Sequence, residues 1–190
     1  MNILLRTKIN ENERKFRELI LYISQKCAND PRFGAVKLNK ILYFSDFLSY
    51  GHYNESITGM EYFKLQHGPA PRRLVPVREQ MRRDGDLGIQ ELPVGSGIER
   101  RPVNLRAPDL GVFTAREIAL VDAVIELFSS HTGRSVSDLS HKMSGWKAAR
   151  LEETIPYETV FMSEEPLTEI DIARGQEIAA EHGLLEASEA

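Results

Sequence analysis

The stretch from residue 35 to residue 50 constrains the fold more than any other part of the sequence. Apolar side chains spaced as on a helix cover most of its circumference: Leu38, Ile41, Leu42, Phe44, Phe47 and Leu48. A helix that is apolar nearly all round is buried between several neighbours. Its polar residues fall along one line, at steps of four, three and four: Asn39, Tyr43, Asp46 and Tyr50. The sequence therefore predicts a buried central helix crossed by a narrow polar stripe, the name used below for these four residues.

Apolar periodicity and end signals predict further helices around the central one. We expect helices over residues 12–27, 35–50, 71–84, 114–128, 135–143 and 146–153, and a last one that starts at Thr168 and closes at Gly183. Thr114 and Glu117 have the spacing of a capping box. Ser135 is expected to cap the helix that it opens, and Gly145 to break it.

Two segments are predicted to be extended. Residues 56–66 are rich in β-prone side chains and carry no helix caps, and residues 87–105 are typical of a β-hairpin with Gly95-Ser96-Gly97 as its turn. Residues 67–71 are predicted to be a turn that leads into a helix at Pro71. The predicted fold is mainly α, a compact helical domain of about six helices with a small β-hairpin or short sheet.

The length and the single cysteine restrict the class of protein. A chain of 190 residues fits about one domain and buries about 70% of the surface that its unfolded form exposes. Cys27 has no second cysteine to pair with, which favours a reducing compartment. No run approaches the roughly 20 apolar residues of a membrane span, and no export core follows the N-terminus. We expect a cytoplasmic protein that does not enter a membrane.

The charge is distributed unevenly along the chain. Residues 1–151 carry a net charge of +6, whereas residues 152–190 carry −10 with Arg174 as their one basic residue. We therefore predict a helical domain over residues 1–151, which includes the hairpin 87–105, and an acidic helical appendage over residues 152–190. Such an appendage can fold over a basic face, be offered to a partner, or be a solvated helix.

Motifs of known chemistry are missing from the sequence. No pair of histidines or cysteines has metal-ligand spacing, and Cys27 lies on an apolar helix face, where it is more typical of a packed side chain than of a nucleophile. There is no Gly-x-Ser-x-Gly elbow, no phosphate-binding loop and no dinucleotide motif. We predict no catalytic residues, no metal, no cofactor and no enzymatic activity, although catalytic groups can also meet from distant positions.

Eight arginines occur between residues 72 and 106, but acidic residues reduce the net charge of that window to +3. This is weak for a phosphate-binding surface. Residues 135–150 have the length of a helix-turn-helix, yet Glu152 and Glu153 follow Lys147 and Arg150 directly. We do not expect the protein to bind nucleic acid.

The polar stripe allows two interpretations. Buried polar groups need partners, so Asn39, Tyr43 and Asp46 must find protein, water or ligand groups. Lys37, Lys40 or His67 are candidates. In one interpretation these residues, the Gly68-Pro69 turn and the single tryptophan, Trp146, form a structural core. In the other they line a shared groove.

Three segments together resemble a known family. They are KLNKILYFSD at residues 37–46, the stretch from Tyr62 to His67-Gly68-Pro69, and VSDLSH at residues 136–141 followed by WKAA at residues 146–149. Their order and spacing resemble the Panacea domain, whose family includes SocA-like antitoxins and phage-associated GepA-type proteins. The resemblance covers roughly residues 15–150.

The resemblance implies a mostly helical domain that acts as the antitoxin of a toxin–antitoxin pair and neutralises a cognate protein toxin by direct binding. Some SocA-like members are adaptors that deliver a toxin to the protease ClpXP, which is an alternative here. The long hairpin 87–105 and the acidic end depart from the simplest family pattern. The shared polar core implied by the family consists of Lys37, Asn39, Lys40, Tyr43, Asp46, His67, Gly68, Pro69 and Trp146.

Complementary shape and charge, without a reactive group, suffice for an inhibitor of this kind. We expect toxin contacts from the hairpin, the acidic end and an arginine face made of Arg72, Arg73, Arg78, Arg82, Arg100 and Arg101. Two alternatives belong to other classes: an enzyme or small-ligand-binding protein that uses Asn39, Tyr43 and Asp46, and a DNA-binding repressor of its own operon.

Overall fold

The computed structural model of the chain describes residues 12–94, 97–163, 165 and 168–181. Within them lie seven α-helices: α1 Glu13–Lys26, α2 Ala35–Tyr53, α3 Leu74–Arg83, α4 Ala115–Leu127, α5 Gly133–Ser140, α6 Ser144–Ala148 and α7 Glu169–Glu181. Four strands form two antiparallel hairpins: β1 Tyr62–Leu65 with β2 Gly68–Pro71, and β3 Leu87–Val94 with β4 Gly97–Asn104. The predicted mainly α fold with a small sheet is confirmed.

Helix α2 is the central element of the core, as its apolar circumference predicts. It contacts α1, α4, α5, strand β2 and a 3-10 turn at Tyr157–Phe161. Next to it, an aromatic cluster brings the ring of Tyr43 within 4.2 Å of Phe47 and 5.6 Å of Tyr62, measured between centroids. Tyr157 packs on Phe47 from the other side, at 4.7 Å.

Residues 68–71 form strand β2, so the turn predicted at residues 67–71 is wrong. β2 pairs with β1 in a register that sets Pro69 opposite Lys64 and Pro71 opposite Tyr62. The backbone groups of Lys64 and Tyr62 point away from β2, because they bond to residues 152–155 on the outer side of β1. A proline in β2 therefore loses no ladder hydrogen bond.

The helix predicted from Pro71 begins later, at Leu74, because Pro71 is paired in β2. The hairpin predicted at residues 87–105 is confirmed, with Leu87 opposite Asn104 and Val94 opposite Gly97. Two residues of its predicted turn, Gly95 and Ser96, lie outside the described residues.

The ends of the later helices differ from the predictions in three places. Thr132 caps α5 and accepts from the N–H of Ser135, which makes Ser135 the reciprocal partner and not the cap. Gly145 does not break a helix but lies inside α6, where a Cβ would overlap the side chain of Thr159. The helix predicted over residues 146–153 is also wrong: α6 ends at Ala148, and the chain then turns to run beside β1.

The capping box of Thr114 and Glu117 is confirmed at the start of α4. Helix α7 follows Thr168 as predicted, while the predicted closing residue, Gly183, lies outside the described residues. α7 is exposed over nearly all its length, and Ile170 is 80% exposed. The predicted division of the chain after residue 151 stays a prediction; Ile155 and Tyr157, beyond that point, are buried in the core.

Candidate partner-binding site

The polar stripe of α2 includes a fully buried carboxylate. Asp46 accepts hydrogen bonds from the N–H of Thr58 at 2.8 Å, from its hydroxyl at 2.5 Å and from the hydroxyl of Tyr62 at 2.8 Å. Burial raises the pKa of the Asp46 carboxyl to about 6, although these three donors favour its charged form. Burial also raises the pKa of Tyr43, the neighbouring member of the stripe, above its ordinary value. This part of the stripe fixes the residues that precede β1 against the central helix.

Lys37, at the start of α2, is a buried lysine with a counterion. Its ammonium lies 2.5 Å from a carboxylate oxygen of Asp30 and donates to the carbonyl oxygen of His131 at 2.9 Å. It therefore joins the loop before α2 to the loop before α5. The role of Lys37 is structural, and it lies away from Asp46.

Lys40, one turn further along α2, is buried without a counterion in the described residues. Its ammonium donates to the carbonyl oxygen of Pro69 at 2.9 Å. Burial lowers the pKa of this amine to about 7. Gly68 has a φ of +94°, and a Cβ there would overlap the end of the Lys40 side chain. The absence of a side chain at Gly68 thus lets the tip of the β1–β2 hairpin lie over Lys40.

Helix α5 holds the same hairpin tip from the other side. Ser137 donates to the carbonyl oxygen of His67 at 2.6 Å, and a Cβ at Gly68 would also overlap Ser140 Oγ. Sequence reasoning assigned no role to these two serines. The only sequence signal for them is that two serines lie three residues apart in a short helix, and this pattern is too common to indicate a role.

Trp146 lies at the outer side of the hairpin. Its indole N–H donates to the carbonyl oxygen of Leu65 at 3.2 Å, and its ring stacks on His141 with centroids 4.1 Å apart. The ammonium of Lys64 lies 4.1 Å from the ring centre, a cation–π contact. Burial and the nearby Lys40 lower the pKa of His141. The Panacea-like segments therefore meet at one junction between α2, the β1–β2 hairpin, α5 and α6.

A cavity of about 330 Å³ opens between α2 and the tip of this hairpin, and we call it the Lys40 cavity. Residues that line it include Val36, Asn39, Lys40, Leu65, His67 and Gly68. The side-chain oxygen of Asn39 is buried and has no hydrogen-bond partner in the described residues. A second cavity, of about 250 Å³, is an apolar groove along the C-terminal half of α2 beside Met143 and Val160. The Lys40 cavity joins the polar groups of Asn39 and Lys40 to an apolar wall.

The arginine face is engaged mostly with acidic residues of this chain. Four of its members form surface ion pairs: Arg72 with Glu61, Arg73 with Glu13, Arg82 with Glu79 and Arg100 with Glu91. Arg101 is different, because its guanidinium donates to the carbonyl oxygens of Phe33, Ala28 and Asp30. Burial lowers the pKa of Arg78, whose Nε is buried without a partner in the described residues.

An ion-pair network beside this face was not predicted from the sequence. Arg106 binds both carboxylate oxygens of Glu18 within 2.8 Å and reaches Asp86 at 2.7 Å. Arg17 contacts Asp84 and Asp86 in turn. In the pairs that involve α1, the two partners are separated by 67 to 88 positions in the sequence. No short-range spacing therefore indicates the network. It fixes the base of the β3–β4 hairpin to α1.

The part of the chain that the structure describes contains no group of three or more His, Cys, Asp or Glu side chains able to hold a metal ion. None of its helices is long and apolar enough to cross a membrane. Burial raises the pKa of the Cys27 thiol to about 12, which does not favour the reactive thiolate.

The family of the chain follows from a comparison with known proteins. A search of curated proteins found no match. The family model described as "Antitoxin SocA-like, Panacea domain" matches residues 38–147, more than half of the chain. That range contains most of α2, both hairpins, α5 and the Trp146 contact. The chain belongs to the family of SocA-like antitoxins with a Panacea domain.

Proposed function

We propose that this protein is the antitoxin of a toxin–antitoxin pair, that it is not an enzyme, and that it neutralises a cognate protein toxin by direct binding. The observation that carries the proposal is the family match over residues 38–147, which names an antitoxin domain. The junction of α2, the β1–β2 hairpin and α5 is, in this proposal, the scaffold that positions the toxin-binding surfaces.

We propose the exposed part of the arginine face as the toxin contact. Arg72, Arg82 and Arg100 each have a large exposed fraction and pair with a carboxylate at the surface. Ion pairs of this kind contribute about 0–1 kcal/mol to stability, so a partner's carboxylates can replace Glu79 and Glu91 at little cost. Arg72 is held more firmly, because it also donates to the carbonyl oxygen of Glu152 and lies over the ring of Phe63. Arg101 holds backbone carbonyls of the α1–α2 loop, which gives it a structural role as well.

Expression of the neighbouring reading frame tests the function. Induced alone, the neighbour should stop growth; together with this chain it should be harmless, and the two proteins should purify as a complex. The same rescue in a host without ClpX separates direct binding from delivery to a ClpXP-type protease. A neighbour that is harmless alone, or a toxic one that this chain neither rescues nor binds, contradicts the proposal.

Charge reversal tests the proposed surface. Arg72→Glu, Arg82→Glu and Arg100→Glu combined should weaken toxin binding at least tenfold, because attraction becomes repulsion over the whole face. Arg116→Glu is the matched control, since Arg116 is similarly exposed and pairs with Glu55 elsewhere on the surface. Isothermal titration measures both affinities. Equal affinity of the triple variant and the control would remove the arginine face from the proposal.

A further inference from the structure

Lys37 and Lys40 are two buried lysines of the same helix that differ in their partners. Their side chains are 1% and 2% exposed, respectively, so both ammonium groups have lost their hydration. Lys37 has the carboxylate of Asp30 at 2.5 Å. In the described residues Lys40 has a neutral acceptor, the Pro69 carbonyl oxygen, and no carboxylate within 4 Å. A buried charge without a counterion is costly, so Lys40 lacks the group that its charged form requires.

A second polar group at the same cavity is incomplete. Asn39 Oδ1 is buried and accepts no hydrogen bond in the part of the chain that the structure describes. A buried acceptor without a donor costs about 1–3 kcal/mol. Asn39 and Lys40 both line the Lys40 cavity, and rotation of their buried ends toward it would let a single ligand satisfy both. It would bring an anion for Lys40 and a hydrogen-bond donor for Asn39.

The electrostatics around the cavity favour an anion. The charged side chains beside the hairpin are Lys40, Lys64, whose ammonium lies over the Trp146 ring, and Asp138 of α5. Apolar side chains of Val36, Leu65 and Ala70 form the remaining wall. A carboxylate with an apolar group close to it fits this wall better than a strongly hydrated phosphate does.

A polypeptide end with an apolar last residue combines these features in one molecule. Its carboxylate can pair with Lys40, the N–H of the same residue can donate to Asn39 Oδ1, and its side chain can pack on Val36 and Leu65. A volume of about 330 Å³ is within the range of small-ligand sites and holds one or two residues. We propose that the Lys40 cavity binds the C-terminal carboxylate of a polypeptide whose last residue is apolar.

This proposal is independent of toxin neutralisation, because it is tested without a toxin. The full chain is labelled with ¹³C-lysine and titrated with N-acetyl-Ala-Ala-Leu and with N-acetyl-Leu, each as the free acid and as the neutral amide. The Cε signal of Lys40 should shift with the acids, and its titration midpoint should rise from about 7 because the bound carboxylate stabilises the charged amine. Lys37, already paired with Asp30, should not respond.

The acids should bind at least tenfold more tightly than the amides. A stronger response to the tripeptide identifies a polypeptide end as the ligand, and an equal response to N-acetyl-Leu shows that the last residue alone is recognised. N-acetyl-Ala-Glu-Ala-amide tests a side-chain carboxylate, which should bind more weakly than the terminal one. No shift at Lys40, equal binding of acids and amides, or tighter binding of the glutamate peptide would overturn the proposal.

Two variants assign the binding to the cavity. Lys40→Met should abolish binding of the acid; it removes a buried amine that has no counterion but also leaves the Pro69 carbonyl oxygen without its donor, so circular dichroism checks that the variant is folded. Val36→Trp provides a second route, since Val36 is 39% exposed at the rim of the cavity and a larger side chain there narrows its opening. A folded Val36→Trp protein that still shifts the Lys40 signal would contradict the proposal.

Discussion

Asp46 shows how one buried residue links the central helix to the first hairpin. Its carboxylate accepts from Thr58 and Tyr62, which belong to the segment that leads into β1 and to β1 itself. Removal of the carboxylate leaves several buried donors without an acceptor, and each costs about 1–3 kcal/mol. The residue is therefore required for stability even though its charged form is disfavoured by burial.

The raised pKa of Asp46 makes stability depend on pH in a defined direction. The carboxyl titrates at about 6 in the folded chain and near 3.8 when unfolded, so the folded chain holds more protons between these values. The stabilising contribution is complete below pH 3.8 and is lost as the pH rises through 6. Two units of pKa correspond to about 3 kcal/mol. The unsubstituted chain should lose about this much relative to Asp46→Asn between about pH 3.5 and pH 7.5.

Urea unfolding of both proteins across this range measures the difference, since other titrating groups are common to both. In the Asp46→Asn variant the side-chain carbonyl still accepts from the Thr58 N–H, and the hydroxyls of Thr58 and Tyr62 can accept from the new amide. A difference in the free energy of unfolding that does not vary with pH would show that the carboxyl has an ordinary pKa.

At this scale the sequence predicts which residues are special but not what they bind. Helical spacing alone places Asp46 and Asn39 on one line of α2. It does not show that Thr58 satisfies Asp46, or that Lys37 finds Asp30 while Lys40 finds a carbonyl oxygen. These partners come from other elements, and their positions follow from the packing of the whole chain.

Among the elements, the β1–β2 hairpin is held at its tip by two helices. Its tip lies between Lys40 of α2 and Ser137 of α5, and Gly68 is at the point of closest approach. Residues 152–155 bond to the outer edge of β1. Strand β2, four residues with two prolines, is stable here because β1 pairs with it on one side and Lys40 donates to the Pro69 carbonyl oxygen on the other.

Gly68→Ala tests this packing, with Gly85→Ala as the control. Both glycines have positive φ, +94° and +77°, so alanine costs about 1–2 kcal/mol at each from the backbone alone. At Gly85 nothing lies within 4 Å of an added Cβ, whereas at Gly68 it meets Ser140 and Lys40. Overpacking adds about 1–3 kcal/mol at Gly68. Urea unfolding should show the larger loss for Gly68→Ala, and equal losses would mean that the tip is not tightly packed.

Two of the correct predictions concern features set by local rules. The capping box at Thr114 depends on residues three apart, and the hairpin at residues 87–105 depends on its own alternation and turn. The prediction for Gly145 is wrong because this glycine is needed to make room for Thr159, a residue of a later element, and not to end a helix. Strand β2 is not predicted because its prolines normally exclude a strand. They are tolerated here only because the opposite residues of β1 bond to residues 152–155, which the sequence does not show.

For the whole molecule, the charge asymmetry does not coincide with the limit of the core. Ile155 and Tyr157 lie in the acidic part of the chain but are buried against α2 and β1, and the Tyr157 hydroxyl donates to the carbonyl oxygen of Met60 at 2.7 Å. Helix α7 is exposed, and its Arg174 pairs with Glu177 of the same helix. The acidic segment thus contains a part that packs in the core and a part that faces solvent.

Two truncations locate the boundary of the folded unit. A chain that ends after residue 165 loses α7, which buries little, so its melting temperature should change by less than about 4 °C. A chain that ends after residue 151 loses Ile155 and Tyr157, worth about 3–6 kcal/mol together, along with the strand-like pairing to β1. Since domains are stable by about 5–15 kcal/mol, it should melt more than about 10 °C lower or fail to fold. Circular dichroism measures both, and equal melting temperatures would place the boundary at residue 151.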